Sequence, residues 1–380
     1  MSKTVKIVLI FGLVLLFLGI AGYFIATNYF NKTNDTSNTN VKKAILPQSL
    51  INNKFGFLTG GNNDLKFVKN VKAGWIRPHP GPFLWDQVQK EKDADLNFER
   101  TDSLVRQAQE SNLAILATIW PFADWDQKNN PNAKNCKVSD KDQFLPRLGI
   151  KTDNYLPQYR CNPYAFSQYQ TFVQNLVERY DGDGIADMPG LTIPIKYWEV
   201  MNEPDLTGSD NLQFYKQTAK EYTTLLIKTN QAIKLADPTA KTLIAGAAGG
   251  DESFLKFYKA VFQNDSAQKA FDIGNVHCIS NDDFATFNVA PYKQMFDALN
   301  IKKPIWVTEA ESLVGKNVDE NATQTLNSVK AALKLGAEKI FFTQYNFNSD
   351  KNKEFSKEII IEPTLSGVSP EIAYKQITAL

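Results

Sequence analysis

Tyr197-Trp198-Glu199-Val200-Met201-Asn202-Glu203-Pro204-Asp205 is the stretch on which the fold turns. Its aromatic and apolar residues read as a buried strand. The strand ends at Asn202-Glu203-Pro204, because Pro204 has no N–H to give to a ladder. A carboxylate therefore stands where a buried strand emerges. Much later, Pro304-Ile305-Trp306-Val307-Thr308-Glu309 repeats the build, an apolar strand with a glutamate at its exit.

Six more stretches of this kind flank these two. They are Lys54–Leu58, Ala73–Arg77, Leu113–Trp120, Thr242–Gly246, Ile273–His277 and Lys339–Tyr345. Helical spacing lies between them. Phe166, Tyr169, Phe172, Val173, Leu176, Val177 and Tyr180 recur at three and four, as do Leu326, Val329 and Leu333 before Gly336. Asn211–Ala236 reads as one long helix closed by Asp237-Pro238, and Ser369-Pro370-Glu371 opens a last one. Repeated strand-then-helix units imply a parallel sheet. Eight of them predict an α/β fold of the closed (β/α)8 TIM barrel type. An open doubly wound sheet is the rival, but no Gly-rich phosphate loop follows any strand.

The chain has 380 residues and a net charge of +1, which gives no electrostatic footprint for nucleic acid. Two histidines and three cysteines are too few and too scattered for a structural zinc site. Ile7–Ala26 is uncharged, apolar and long enough to cross a bilayer as one helix. Lys3 and Lys6 before it would keep residues 1–6 cytoplasmic. A transmembrane signal-anchor over 7–26 is thus expected, with a cleaved signal peptide as the alternative. Residues 27–43, rich in Asn, Thr, Lys and Ser, read as a flexible tether. One folded domain, 44–380, would then lie outside the cell membrane, or be secreted if the segment is cut.

In a (β/α)8 barrel the chemistry sits at the carboxyl ends of the strands. Two glutamates there are what cleavage of a glycosidic bond asks for, one to protonate and one to attack. Trp198-Glu199-Val200-Met201-Asn202-Glu203-Pro204 and Pro304-Ile305-Trp306-Val307-Thr308-Glu309 resemble the fourth- and seventh-strand motifs of glycoside hydrolase clan A, the retaining (β/α)8 glycosidases. The likeness runs from about Phe55 to Leu380, with families 5 and 39 nearest. It implies Glu203 as general acid/base, Glu309 as nucleophile, Asn202 on the sugar 2-hydroxyl and Arg77 in support of the nucleophile. It also implies a carbohydrate substrate and no organic cofactor. The chain departs from the clan at His277-Cys278-Ile279-Ser280, where the clan often has His-X-Tyr. On strand eight Tyr345 or Phe347 would have to replace a tryptophan platform for sugar. A catalytically weak glycan-binding protein and a transglycosylase are the alternatives on the same fold, and a monomer is expected.

His277 and His79 fall at strand exits and are candidate sugar contacts, as are Trp120 and Trp125, whose ring faces suit stacking. Glu199, on the face of Glu203, should point into the barrel and find a cationic or hydroxyl partner. The long stretch from Pro121 to Asn162 should shape the cleft. Cys136 and Cys161 bracket much of it and could pair outside the cell. Asp181-Gly182-Asp183-Gly184-Ile185-Ala186-Asp187 looks like an Asp-rich calcium loop, with Asp181, Asp183 and Asp187 as ligands of a structural ion. A solvated turn is the other reading of that loop.

Overall fold

The computed structural model describes residues 43–60, 62–138, 156–206, 213–279, 283–312, 315, 317–347 and 369–380. The candidate anchor 7–26 and all but the last residue of the tether lie outside them. Among the described residues no helix is long and apolar enough to cross a membrane.

Among the described residues there are eight strands: β1 Phe55–Thr59, β2 Trp75–Pro78, β3 Ala114–Ile119, β4 Tyr197–Val200, β5 Lys241–Ile244, β6 Gly274–Ile279, β7 Ile305–Glu311 and β8 Ala337–Phe342. Each is followed by a helix: α1 Asn62–Asn70, α2 Glu99–Glu110, α3 Phe166–Glu178, α4 Ala219–Ala236, α5 Glu252–Phe262, α6 Val289–Ala298, α7 Val318–Lys334 and α8 Pro370–Ile377. All neighbouring strands are parallel, in the order β5-β4-β3-β2-β1-β8-β7-β6. Two isolated bridges, Leu243–Ile273 and Ala247–Val276, bring β5 to β6. The result is a nearly closed eight-stranded barrel of the (β/α)8 type.

The interior is layered by the two-residue period of the strands. Trp75, Leu116, Tyr197, Ile273 and Trp306 form a lower apolar layer, with Trp75 edge-on to Tyr197 and Tyr197 stacked on Trp306. Two residues further along the same strands stand Arg77, Thr118, Glu199, Asn275 and Thr308, all fully buried. These five strands thus turn from apolar to polar at the same height. The helix Gln48–Asn52 closes the floor, and its Leu50 carbonyl accepts from Trp75 Nε1 at 2.7 Å.

Two element boundaries differ from expectation. The helix expected from Asn211 starts at Ala219, because Thr218 and Glu221 form a reciprocal capping box there. The eighth strand stops at Phe342 rather than Tyr345. Gly336, at φ 100°, does end α7, by taking a left-handed conformation that costs other residues more. The stretch after β3 contains two short helical turns, Asp124–Gln127 and Ala133–Cys136, and Cys136 is disulfide-bonded to Cys161. Residues 139–155 of it lie outside the described residues. Cys278 is buried, with its Sγ 3.8 Å from Glu311 O.

Candidate active site

The polar layer is built around Arg77. Its Nε donates to Glu199 Oε2 at 2.9 Å, its Nη1 to Glu309 Oε1 at 2.7 Å and its Nη2 to Asn202 Oδ1 at 2.7 Å. One guanidinium therefore fixes three side chains, from β4, the turn after it and β7, which its planar fork of donors suits. Glu199 also accepts from Thr118 Oγ1 at 2.5 Å and from Asn275 Nδ2 at 2.6 Å. The carboxylate on the face of Glu203 thus found the cation and hydroxyls it required. Burial lowers the affinity of Arg77 for its proton, but Glu199 and then Glu309 more than offset this, so its pKa is raised.

Backbone irregularities lift the next groups to the rim. Met201 and Glu203 have φ of 70° and 41°. Left-handed backbone at a residue with a side chain stores strain, and such strain clusters at functional sites. Here it turns both Asn202 and Glu203 to the barrel axis, where strict alternation would send one outward. On β7, Val307 pairs with Val276 and Glu309 with His277, so Thr308 is an extra residue without a partner on β6. This bulge lets Thr308 and Glu309 both face inward.

His277 bridges the two rims. Its Nδ1 lies 2.7 Å from Glu203 Oε1 and 3.7 Å from Glu309 Oε1, and its Nε2 lies 2.8 Å from Thr308 Oγ1. Gly246 makes the seat for this ring, since a Cβ there would come within 2.1 Å of His277 Nε2. Burial pushes the His277 imidazole down to about 4, so it is neutral at physiological pH. Burial pushes Glu203 up to about 7 against the pull of Arg77. Burial raises Glu309 and the neighbouring Glu203 adds to this, while His277 and Arg77 oppose them.

The other candidates fall elsewhere. Trp120 is fully buried and donates its indole N–H to the Pro80 carbonyl at 2.6 Å, while His79 and Phe214 pack on it. Trp125 is half-buried, edge-on to Trp85, and donates to Gln89 O at 2.9 Å. Both rings brace loops. Tyr345 is buried against Phe57 and Phe67 with its hydroxyl on Leu58 O, and Phe347 stacks on Tyr374. Neither can present a ring face to sugar, because α8 draws this segment into the core. His79 is half-buried, its Nδ1 has no hydrogen-bond partner among the described residues, and burial holds its pKa well below the usual histidine value.

Asp181, Asp183 and Asp187 bring one carboxylate oxygen each within 4.8 Å of one another, on the loop between α3 and β4. All three already accept backbone N–H groups, from Asp183, Ile185, and Gly182 with Gly184. Calcium takes about 6–8 oxygens, so this loop supplies part of a shell at most. Glu203, His277 and Glu309 are equally close, but the Arg77 guanidinium already fills the cation's place beside Glu309.

Thr118, Asn275, Thr308 and Gly246 are parts of the site that the strand-end reading passes over. Their signal was a polar residue inside an apolar strand, two positions above a bulky apolar one. Gly246 had only the small-residue run Ala245–Gly250 to mark it.

The family described as glycosyl hydrolase catalytic core matches residues 162–362, more than half of the chain. The chain belongs to that family. It is a glycosidase, and glycosidases of this kind need no cofactor for catalysis. The matched residues include Glu203, His277 and Glu309, whereas Arg77 lies before them. The barrel is similar to a glucosidase from Croceicoccus marinus, with TM-score 0.60 and 16% identity over 90% of this chain and 69% of that one. It is also similar to a family 39 glycoside hydrolase from Bacteroides cellulosilyticus WH2, with TM-score 0.52 and 12% identity over 79% of this chain and 58% of that one. Xylanase 10B from Thermotoga maritima gives TM-score 0.51 and 14% identity over 78% of this chain and 84% of that one. These likenesses, all at low identity, show the same (β/α)8 barrel fold. No curated protein matches the chain at a significant level.

Proposed function

We propose that this glycosidase hydrolyses O-glycosidic bonds of a polysaccharide or oligosaccharide with retention at the anomeric carbon. The observation that carries the reading is the pairing of Glu203 and Glu309, with an oxygen of each within 4.8 Å of the other. Retaining enzymes hold their carboxyl groups about 5–5.5 Å apart, and inverting ones roughly 6.5–9.5 Å, to admit water. Glu309 attacks the anomeric carbon while Glu203 gives its proton to the departing oxygen. The C–O bond breaks and a glycosyl ester forms on Glu309. Water then loses a proton to Glu203 and attacks the same carbon, which frees the Glu309 carboxylate. Asn202, held by Arg77, is placed for the 2-hydroxyl of the sugar.

Incubating the full-length chain with a panel of 2-deoxy-2-fluoro glycosides tests this. A stable adduct mapped by peptide mass spectrometry to Glu309 is expected. Turnover of a matching glycoside with inverted product, or an adduct on another residue, would overturn it.

Glu203 must carry its proton to act as acid. Since that proton is lost as pH rises through about 7, kcat/KM is expected to fall on the alkaline side with an apparent pKa near 7. A limb far above that value in a pH–rate profile would contradict the role of Glu203.

We also propose that the apolar run Ile7–Ala26 tethers the barrel to a membrane with its active site extracytoplasmic. The Cys136–Cys161 disulfide supports an oxidising compartment. The full-length chain should stay in the membrane fraction after alkaline carbonate extraction, and protease added to intact cells should cut it. Recovery of the chain in the soluble fraction would refute the tether.

A further inference from the structure

The Glu203 proton is oriented from the opposite side of the barrel. Glu199 is ion-paired to Arg77, with Nη2–Oε2 at 2.8 Å, and as a carboxylate it can only accept. The Asn275 atom 2.6 Å from Glu199 Oε1 must therefore be the Nδ2 donor. This orients the Asn275 amide, so that its Oδ1 faces Thr308 Oγ1 at 2.8 Å. Thr308 has one hydroxyl proton. Its two acceptor neighbours, Asn275 Oδ1 and, at 3.3 Å, Glu199 Oε1, claim that proton. What the hydroxyl oxygen turns to His277 Nε2, 2.8 Å away, is a lone pair. Nε2 then carries the hydrogen and Nδ1 is bare. Glu203 Oε1, 2.7 Å from Nδ1, completes that bond by donating.

We infer that Glu199, Asn275 and Thr308 are positioning residues that set His277 in its Nε2–H tautomer and so hold Glu203 in the protonated, acid-ready form before substrate binds. This rests on the acid/base reading of Glu203 given above. It adds a reason why the acid is loaded in the resting enzyme and why the base is free to form later. Once the proton has gone to the leaving group, His277 Nδ1 offers Glu203 no hydrogen to stabilise its charge, which favours recapture of a proton from water.

Other titratable groups face the pair. Arg77 and His79 come from β2 and the turn after it, Glu199 from β4 and Glu309 from β7. Asp205 stands behind Glu203, accepting from Ala248 N at 2.9 Å, with Tyr258 of α5 at 3.4 Å. Tyr222 of α4 and Tyr292 of α6 lie beyond it. The rival arrangement, an imidazolium on His277 and an ionised Glu203, requires two buried charges. Burial acts against both, as the low His277 and high Glu203 values reflect.

The chain has only two histidines, so long-range 1H–15N spectra of the 15N-histidine-labelled full-length protein contain two ring systems. His79→Asn assigns them. The Nε2–H tautomer of His277 is expected at pH 6. A Nδ1–H tautomer, or an imidazolium, would overturn the relay whether or not the protein turns over any glycoside. With the Nε2–H tautomer present and turnover absent, the relay stands and the hydrolytic reading falls. Thr308→Val removes the acceptor at Nε2 and frees the ring to donate from Nδ1 to an ionised Glu203. The alkaline limb of kcat/KM should then move down by about one pH unit, with the acidic limb in place. Thr308→Ser should restore both the limb and the tautomer. A Thr308→Val enzyme with lower kcat but an unmoved alkaline limb and the wild-type tautomer would show a merely structural role and overturn the proposal.

Discussion

Glu309→Ala is expected to reduce kcat on activated glycosides by about 10⁴- to 10⁶-fold, the scale on which loss of a covalent nucleophile acts. The fold should survive. Arg77 loses one of three acceptors but keeps Glu199 and Asn202, and the carboxylate lies at the rim rather than in the apolar layer. Far-ultraviolet circular dichroism and the unfolding midpoint should therefore stay close to wild type while activity vanishes. Azide or formate, small enough to enter the space left by the side chain, should restore part of the rate and give product of inverted configuration. Wild-type turnover by a folded Glu309→Ala protein would remove Glu309 from the mechanism.

Arg77→Met should be the most destabilising single change in the site. Arg77 is fully buried, and its removal leaves Glu199 and Glu309 facing each other's charge without a cation. Breaking a buried ion pair from one side costs about 3–5 kcal/mol, because the orphaned charge keeps its desolvation penalty. Urea unfolding followed by tryptophan fluorescence would read this as a lower midpoint at unchanged slope. The double change Arg77→Met with Glu199→Gln should recover part of the loss, since the most deeply buried charge is then gone. The same variant also tests the electrostatics of the nucleophile. Arg77 opposes the upward push of burial on Glu309, so without it the Glu309 pKa rises and the acidic limb of kcat/KM moves to higher pH. A variant as stable as wild type, with its acidic limb unmoved, would mean that Arg77 supports neither the core nor Glu309.

Much of the fold was legible because strand burial leaves a mark on composition. Val200, Ile119, Val307 and Ile340 sit in apolar runs that only a strand covered on both faces requires. The strand-end positions of Glu203 and Glu309 were readable for the same reason, since a run of buried residues announces where it stops. Less legible were Tyr345 and Phe347. An aromatic residue after a strand has the same composition whether it faces sugar or, as here, is drawn inward by the α8 face carrying Tyr374. Trp120 was ambiguous in the same way, and its indole N–H turned out to be committed to Pro80.

By itself the sequence determined the number of strand-helix units, their parallel sense, and which two carboxylates lie at strand exits. These follow from local periodicity, which the backbone imposes on any chain of this pattern. The tertiary structure alone decided which side chains meet. Arg77 reaches Glu199 and Glu309 across 122 and 232 residues of sequence, and His277 joins Glu203 to Thr308 only because a bulge in β7 and left-handed backbone after β4 turn adjacent residues to the same side. Such departures from alternation have no periodic signature, because the closure of the barrel, not the local chain, compensates their strain.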